Sequence, residues 1–106
     1  MYPVPSSASD IYYFVVTQGN FQIPDVPGHV IVEVNKPAGS ATTITGRANP
    51  VPRFAQIIKD AKGDAGTFNI TFLPTTGLVD GKGSDVINTN YGVRTYAWDG
   101  ANYLLT

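Results

Sequence analysis

The chain has 106 residues, no cysteine, a formal net charge of −1 and only 14% charged residues. This length fits a single domain, and the lack of cysteine excludes disulfides and thiolate metal sites. The charge balance supplies no basic field for nucleic acid or an anionic membrane surface. Because ordinary globular domains are about 25% charged, the neutral surface favours packing against copies of the chain or a larger particle.

The N-terminal residues predict an arm rather than a targeting segment. No run of about 18 apolar residues exists, so no membrane-spanning helix is expected. Residues 1–7 lack the basic region and apolar stretch of a signal peptide. Since Pro3 and Pro5 are followed by small residues, we expect residues 1–10 to form an arm and residues 11–106 to form one domain.

The first half of the domain shows a two-residue period. Residues 12–16 form an aromatic and β-branched run with high strand propensity. Residues 30–34 alternate, with valine at every second position. Turn residues at 18–20, 24–28 and 35–39 separate these runs. The pattern predicts short strands joined by tight turns.

The second half continues the pattern. Residues 52–61 are the best helix candidate but lack a good helix cap, and residues 53–59 can also be read as a strand. Residues 68–72 alternate apolar and polar side chains, and residues 93–98 place large aromatic side chains on one face. The dipeptides Asp80-Gly81 and Asp99-Gly100 are typical of hairpin turns.

Many short strands at this spacing indicate a sandwich, a barrel or a stacked β assembly. The chain also has 11 Gly and 8 Pro, which disfavour long helices. We therefore predict an all-β fold, a small antiparallel β-sandwich or barrel, whose strand edges and apolar faces a symmetric trimer would hide.

Few residues suggest catalytic chemistry. His29 is the only histidine and is expected to be an ordinary surface or edge residue, since no Gly-x-Ser-x-Gly elbow accompanies it. Residues 60–64 resemble a calcium loop only superficially, because alternating ligands are missing and Lys62 adds positive charge. Most aspartates lie in turns, where turn chemistry explains them. We predict no catalytic residue, no cofactor and no metal ligand.

Aromatic residues are enriched near the C-terminus: Tyr91, Tyr96, Trp98 and Tyr103. Three roles remain open for them. Buried, they would form the core or a contact between subunits. Exposed on a sheet, they would stack on sugar rings.

Residues 57–105 resemble a pattern in bacteriophage virion proteins, including head fibres, capsid decoration proteins and tail fibre or spike tips. The pattern orders a lysine-aspartate turn, a strand, an aspartate-glycine turn, an Ile-Asn-Thr-Asn-Tyr-Gly segment and a final Asp-Gly turn. The matching segments are residues 58–63, 68–72, 79–81, 87–92 and 98–105. The resemblance implies a small β domain, often trimeric, without enzymatic activity.

The resemblance leads to two functional expectations. The first is a capsid decoration or head-fibre protein, made in the host cytoplasm and located in the virion as a homotrimer. A free-standing chain starting at Met1 favours it, with Pro3, Val4 and Pro5 docking on the major capsid protein or another virion protein. The alternative is a receptor-binding tip that stacks host glycans on Tyr96, Trp98 or Tyr103.

Overall fold

The computed structural model describes residues 11–52 and 54–106. These residues contain nine β-strands and no helix, which confirms the all-β prediction. The strands are β1 (Ile11–Val16), β2 (Phe21–Gln22), β3 (His29–Val34), β4 (Thr42–Thr45), β5 (Ala55–Asp60), β6 (Ile70–Leu73), β7 (Asp85–Ile87), β8 (Val93–Trp98) and β9 (Tyr103–Leu105). The predicted arm, residues 1–10, lies outside the described residues.

The first six strands alternate between two sheets. Sheet A has the order β1-β3-β5-β8-β9, and sheet B has the order β2-β4-β6-β7. In sheet A, β3 lies parallel to both β1 and β5. In sheet B, β4 lies parallel to both β2 and β6. The chain therefore winds through three turns of a flattened two-sheet stack.

The direction of pairing changes after β6. Strand β7 pairs antiparallel with β6, β8 with β5, and β9 with β8. The sheets are thus mixed, and the expected antiparallel pairing holds only for these last three strands. Alternation in the sequence reports which face of a strand is buried, but it carries no information on the direction of the neighbouring strand.

Alternate strand residues fill the space between the sheets. From sheet A, Val30, Val32 and Ile58 are fully buried. From sheet B, Ile44 and Phe72 are equally buried and face them in the same cluster. Interdigitated β-branched and aromatic side chains of this kind supply the main driving force for folding.

The predicted turns behave as their chemistry requires. Asp80 and Gly81 have φ values of 46° and 81°, and they connect a bridge between Val79 and Lys82. Both central residues at positive φ define the tight hairpin turn that Asp-Gly favours. Within the stretch that could be read as helix or strand, Ala55–Asp60 forms β5.

Candidate interaction surface

Asp60 and Lys62 both make hydrogen bonds that stabilise the fold. Asp60 is fully buried at the end of β5. Its carboxylate accepts hydrogen bonds from the backbone N–H groups of Gly63 at 2.9 Å, Ala65 at 2.8 Å and Tyr91 at 3.0 Å. Lys62 instead donates to backbone carbonyls on the loop after β3. The loop that resembled a calcium site is therefore a hydrogen-bonded turn.

Further residues of the pattern at 57–105 lock the same region. Tyr91 has a φ of 60°, and its ring covers Gly63, where an added Cβ would lie 2.2 Å from the ring. Lys59 donates to the carbonyl of Tyr91, and its Nζ lies 5.7 Å from the ring centroid. Asn90 accepts the N–H of Gly66 at 2.8 Å. These residues of the pattern therefore hold the loop after β5 against the loop after β7.

Two of the four C-terminal aromatic residues are in the core. Tyr96 and Tyr103 have no exposed surface, and both pack on Phe72 with ring centroids at 4.0 Å and 5.2 Å. Tyr96 donates to Asp85 at 2.8 Å, and Tyr103 accepts from Gln56 at 2.7 Å. Tyr96 and Tyr103 are therefore core residues. The expectation that they contact another subunit or stack on a sugar is wrong.

Burial also changes the acidity of these phenols. Desolvation raises the pKa of Tyr96, and its hydrogen bond to the Asp85 carboxylate raises it further. Desolvation likewise raises the pKa of Tyr103, although the hydrogen bond from Gln56 opposes the change. Both groups therefore remain protonated well above neutral pH.

The other two aromatic residues are more accessible. Trp98 is half-buried, with its ring 4.9 Å from that of Tyr103 and against Gly77. Tyr91 is 61% exposed, but it packs on Gly63 as described. Trp98 and Tyr91 therefore each pack against a different part of the fold.

His29 makes contacts that stabilise the fold. Its Nδ1 accepts the backbone N–H of Ala55 at 3.0 Å, and its ring meets Phe54 edge-on at 5.5 Å. Within residues 11–52 and 54–106, no three His, Asp or Glu side chains lie close enough to hold a metal ion, and no pocket is present. In the same residues no helix is long and apolar enough to cross a membrane. The docking residues Pro3, Val4 and Pro5 lie outside the described part of the chain.

The outer face of sheet A is the most unusual surface of the described fold. Its centre is a row formed by Tyr13, Ile31 and Ile57, which the register places side by side across three strands. On β1, Ile11, Tyr13 and Val15 are each exposed by 56% or more. We define the outer face of sheet A by its apolar members: Ile11, Tyr13, Val15, Ile31, Ile57, Val93 and Leu104.

Charge is nearly absent from this face. Among the outward-pointing strand residues described, only Glu33 and Lys59 carry a charge, and the register places them next to each other. Four strands of six residues, each about 20 Å long, and the three-residue β9 lie about 4.8 Å apart and give a face of roughly 400 Å². Apolar patches of about 300–600 Å² are the largest on typical monomers and are often functional.

The outer face of sheet B has a different composition. Its central positions are threonines, Thr43 and Thr45 on β4 and Thr71 on β6. Threonine suits a solvated strand face, because its hydroxyl reaches water while its branched Cβ favours the extended backbone. The two outer faces therefore differ at their centres, which are threonine on sheet B and apolar on sheet A, while Leu73 and Val86 are exposed apolar residues on the outer face of sheet B.

The sequence contained a signal for this face that the alternation argument overlooked. Residues 30–32 and residues 57–58 are apolar at consecutive positions, so both faces of β3 and β5 must be apolar. Residues 11–16 are apolar throughout. Attention to the second face of each strand would have indicated a sheet with two apolar faces.

No protein-family model matches this chain, and no curated protein matches it. The fold and its surfaces are therefore the basis for the argument on assembly.

Proposed function

We propose that the chain is a non-enzymatic structural protein of a bacteriophage virion, a capsid decoration or head-fibre protein that assembles as a homotrimer. The apolar outer face of sheet A is the single observation that carries the assembly part of this proposal. The virion location, with synthesis in the host cytoplasm, rests on the resemblance of residues 57–105.

Burial of the outer face gives a physical reason for assembly. Tyr13, Ile31 and Ile57 stand in one row, and removing such side chains from water is worth about 25 cal/mol for each Å² of apolar surface. Glu33 and Lys59 are neighbours, so they can neutralise each other when the face is covered. A closed three-fold arrangement would cover this face on every copy without leaving a free one.

The proposal is tested by the mass of the assembly. Ile31→Lys places an ammonium group at the centre of the outer face of sheet A. The matched control is Thr43→Lys, which adds the same charge to a half-buried position at the centre of sheet B. Sedimentation velocity should give a mass that corresponds to a multiple of three chains for the wild type and for the control. For Ile31→Lys the mass should fall to one third of the wild-type value.

Two results would contradict the trimer. One is a wild-type chain whose mass at micromolar concentration does not contain three copies. The other is an Ile31→Lys variant that folds and keeps the wild-type mass.

Attachment to the particle through residues 1–10, and contact with the major capsid protein or another virion protein, stay predictions. Deleting residues 2–9 should abolish binding to the particle while leaving the β-sheet circular dichroism signal intact. Unchanged binding would remove the arm. The glycan-binding alternative has weaker support, since Tyr96 and Tyr103 are buried.

A further inference from the structure

The two edge strands of sheet A, β1 and β9, differ in whether their outward backbone groups have hydrogen-bond partners in the described residues. At the C-terminal end, β9 is the edge strand of sheet A, and residues 78–80 form hydrogen bonds along its outer side. Tyr103 donates its N–H to the carbonyl of Leu78 at 2.8 Å and accepts from the N–H of Asp80 at 3.0 Å. The Asp80 carboxylate also accepts the N–H of Leu105 at 3.2 Å. This edge has little capacity to pair with another strand.

The N-terminal end of the stack is open in the described residues. Strand β1 pairs with β3 on one side, and no described strand lies on its other side. The carbonyl of Val16 accepts the N–H of Asn35 at 2.9 Å, so Val16 directs its backbone groups towards β3. Because backbone direction alternates along a strand, Ile11, Tyr13 and Val15 direct their N–H and C=O groups to the open edge.

The core is also incomplete at this end. The rings of Phe14 on β1 and Phe21 on β2 lie 5.3 Å apart, and both are only half-buried. They pack against the buried cluster from the edge rather than within it. A partner that paired with β1 would cover these rings as well as the backbone.

Strand β1 lacks the features that usually block pairing at a sheet edge. Proteins protect such edges with charged side chains, proline or a bulge. Residues 11–24 contain no charged residue, and β1 contains no proline. The pairing of β1 with β3 is continuous from Ile11 to Val16, without a bulge. The edge is therefore ready to accept a strand.

We propose that a second copy of this chain occupies the open edge, with β1 of each copy paired antiparallel about a two-fold axis at Tyr13. The strand is chemically symmetric about that residue. In this register Ile11 faces Val15 of the partner subunit, Tyr12 faces Phe14 of the partner subunit, and Tyr13 faces the partner's Tyr13. Aromatic pairs and β-branched pairs are favourable cross-strand neighbours, and no like charges meet.

The closed C-terminal end determines the form of this assembly. Head-to-tail growth through sheet A would need a free edge at both ends of that sheet, and β9 offers none that is open. Two identical open edges can pair only with each other, which gives a finite, two-fold contact. Edge pairing therefore doubles whatever assembly the chain forms through its sheet faces.

This doubling is independent of the proposed trimer, and the two are distinguishable by mass. Both contacts together give six chains, the edge alone gives two, and the outer face of sheet A alone gives three. Ile31→Lys should therefore leave a two-chain species if the edge pairs as proposed. A wild-type mass with an odd number of chains overturns the edge pairing.

The edge is tested with a matched pair of variants at Val15. Val15→Pro removes an N–H that points to the open edge and places a ring there, while leaving the groups of β1 that bond β3 in place. Val15→Thr keeps the N–H and the branched Cβ, and it makes a comparable change to the outer face. Sedimentation should show half the wild-type mass for Val15→Pro and the full mass for Val15→Thr. Equal masses for two folded variants overturn the proposal.

Hydrogen exchange on the wild-type chain tests the edge without depending on whether a variant folds. The amides of Tyr13 and Val15 should be protected by the partner strand, and this protection should fall at least tenfold on dilution to the monomer, while Phe14 stays protected by β3. The proposal would be overturned if protection at Tyr13 and Val15 did not depend on concentration and disappeared when residues 1–10 were deleted. That result would show that the chain's own N-terminus pairs with the edge. Fast exchange at both amides at every concentration would overturn it as well.

Discussion

Removal of the Asp60 carboxylate is the sharpest test of how the stack is closed. The side chain has no exposed surface and accepts three backbone N–H groups, those of Gly63, Ala65 and Tyr91. A hydrogen bond to a charged group contributes about 1.5–3 kcal/mol, and a buried donor without a partner costs about 1–3 kcal/mol. Because Tyr91 lies near solvent, water can replace part of this loss. We expect Asp60→Ala to lower the free energy of unfolding by about 4 kcal/mol.

A graded series separates the hydrogen bonds from the loss of charge. Asn at position 60 keeps one acceptor oxygen but directs its NH₂ group at a backbone N–H, so Asp60→Asn should cost about 1–3 kcal/mol. Asp64→Asn removes the same charge in the same loop, from a carboxylate for which no hydrogen bond is present in the described structure. It should change stability by less than about 0.5 kcal/mol.

Urea unfolding followed by circular dichroism, at one fixed protein concentration, measures the series. With an m-value of about 1.5 kcal/mol/M, a loss of about 4 kcal/mol lowers the midpoint by about 2.7 M. Fixed concentration matters because the stability of an oligomer depends on it. The reasoning would be refuted if Asp60→Ala cost less than about 1 kcal/mol, or if Asp60→Asn and Asp64→Asn were equivalent.

Three further predictions concern the Gly63 turn and the two buried tyrosines. Gly63→Ala should lose at least about 2 kcal/mol by urea unfolding, because φ is +88° and the new Cβ would meet the Tyr91 ring; a loss below about 1 kcal/mol would contradict this. Tyr103→Phe should lose about 1–3 kcal/mol in the same assay, since Gln56 keeps a buried N–H donor without its partner, and a neutral result would show that the donor finds another acceptor. Burial, followed by hydrogen bonding to a carboxylate, raises the pKa of Tyr96 above its ordinary value of about 10, so the unfolded chain loses this proton first and stability should fall as pH rises above about 10. Melting temperatures from pH 9 to 11.5 should fall less steeply for Tyr96→Phe than for the wild type, and parallel slopes would exclude the phenol as a cause.

Local chemistry made the turns and many strand faces predictable. Asp80-Gly81 forms the expected turn because positive φ at both residues is a property of the dipeptide itself. Val30, Val32 and Val34 are buried as the alternation predicts. These features depend on residues close together in sequence, where a single chain carries enough information.

Strand partners were not predictable in the same way. Strand β3 pairs in parallel with β1, which starts 18 residues earlier, and with β5, whose paired residue Gln56 follows Val30 by 26 positions. Parallel neighbours of this type are usually joined by a helix, and the lack of helical periodicity favoured antiparallel hairpins instead. Here the connection is a strand in the opposite sheet. The neutral composition predicted an interacting protein, but the position of its apolar face depended on these partners.

Residues 57–105, for which the sequence pattern predicted a resemblance to virion proteins, are also the part of the chain that closes the stack. Residues 57–105 contain most of β5, the Asp60 turn, and the reversed strands β7 to β9, and their side chains are largely used within the fold. Both proposed contacts use Tyr13 or its neighbours on β1, which lies outside the resembling segment.

This division separates two kinds of variant. Changes in the closing turn, such as Asp60→Ala, should lower the stability of the chain at any concentration, because they act on its own hydrogen bonds. Changes such as Ile31→Lys or Val15→Pro should alter the number of chains in the assembly, and they should lower stability only through the lost association. If the surface variants unfolded the isolated chain as severely as Asp60→Ala, the outer face and the open edge would belong to the internal stability of the fold. Their role in assembly would then have to be abandoned.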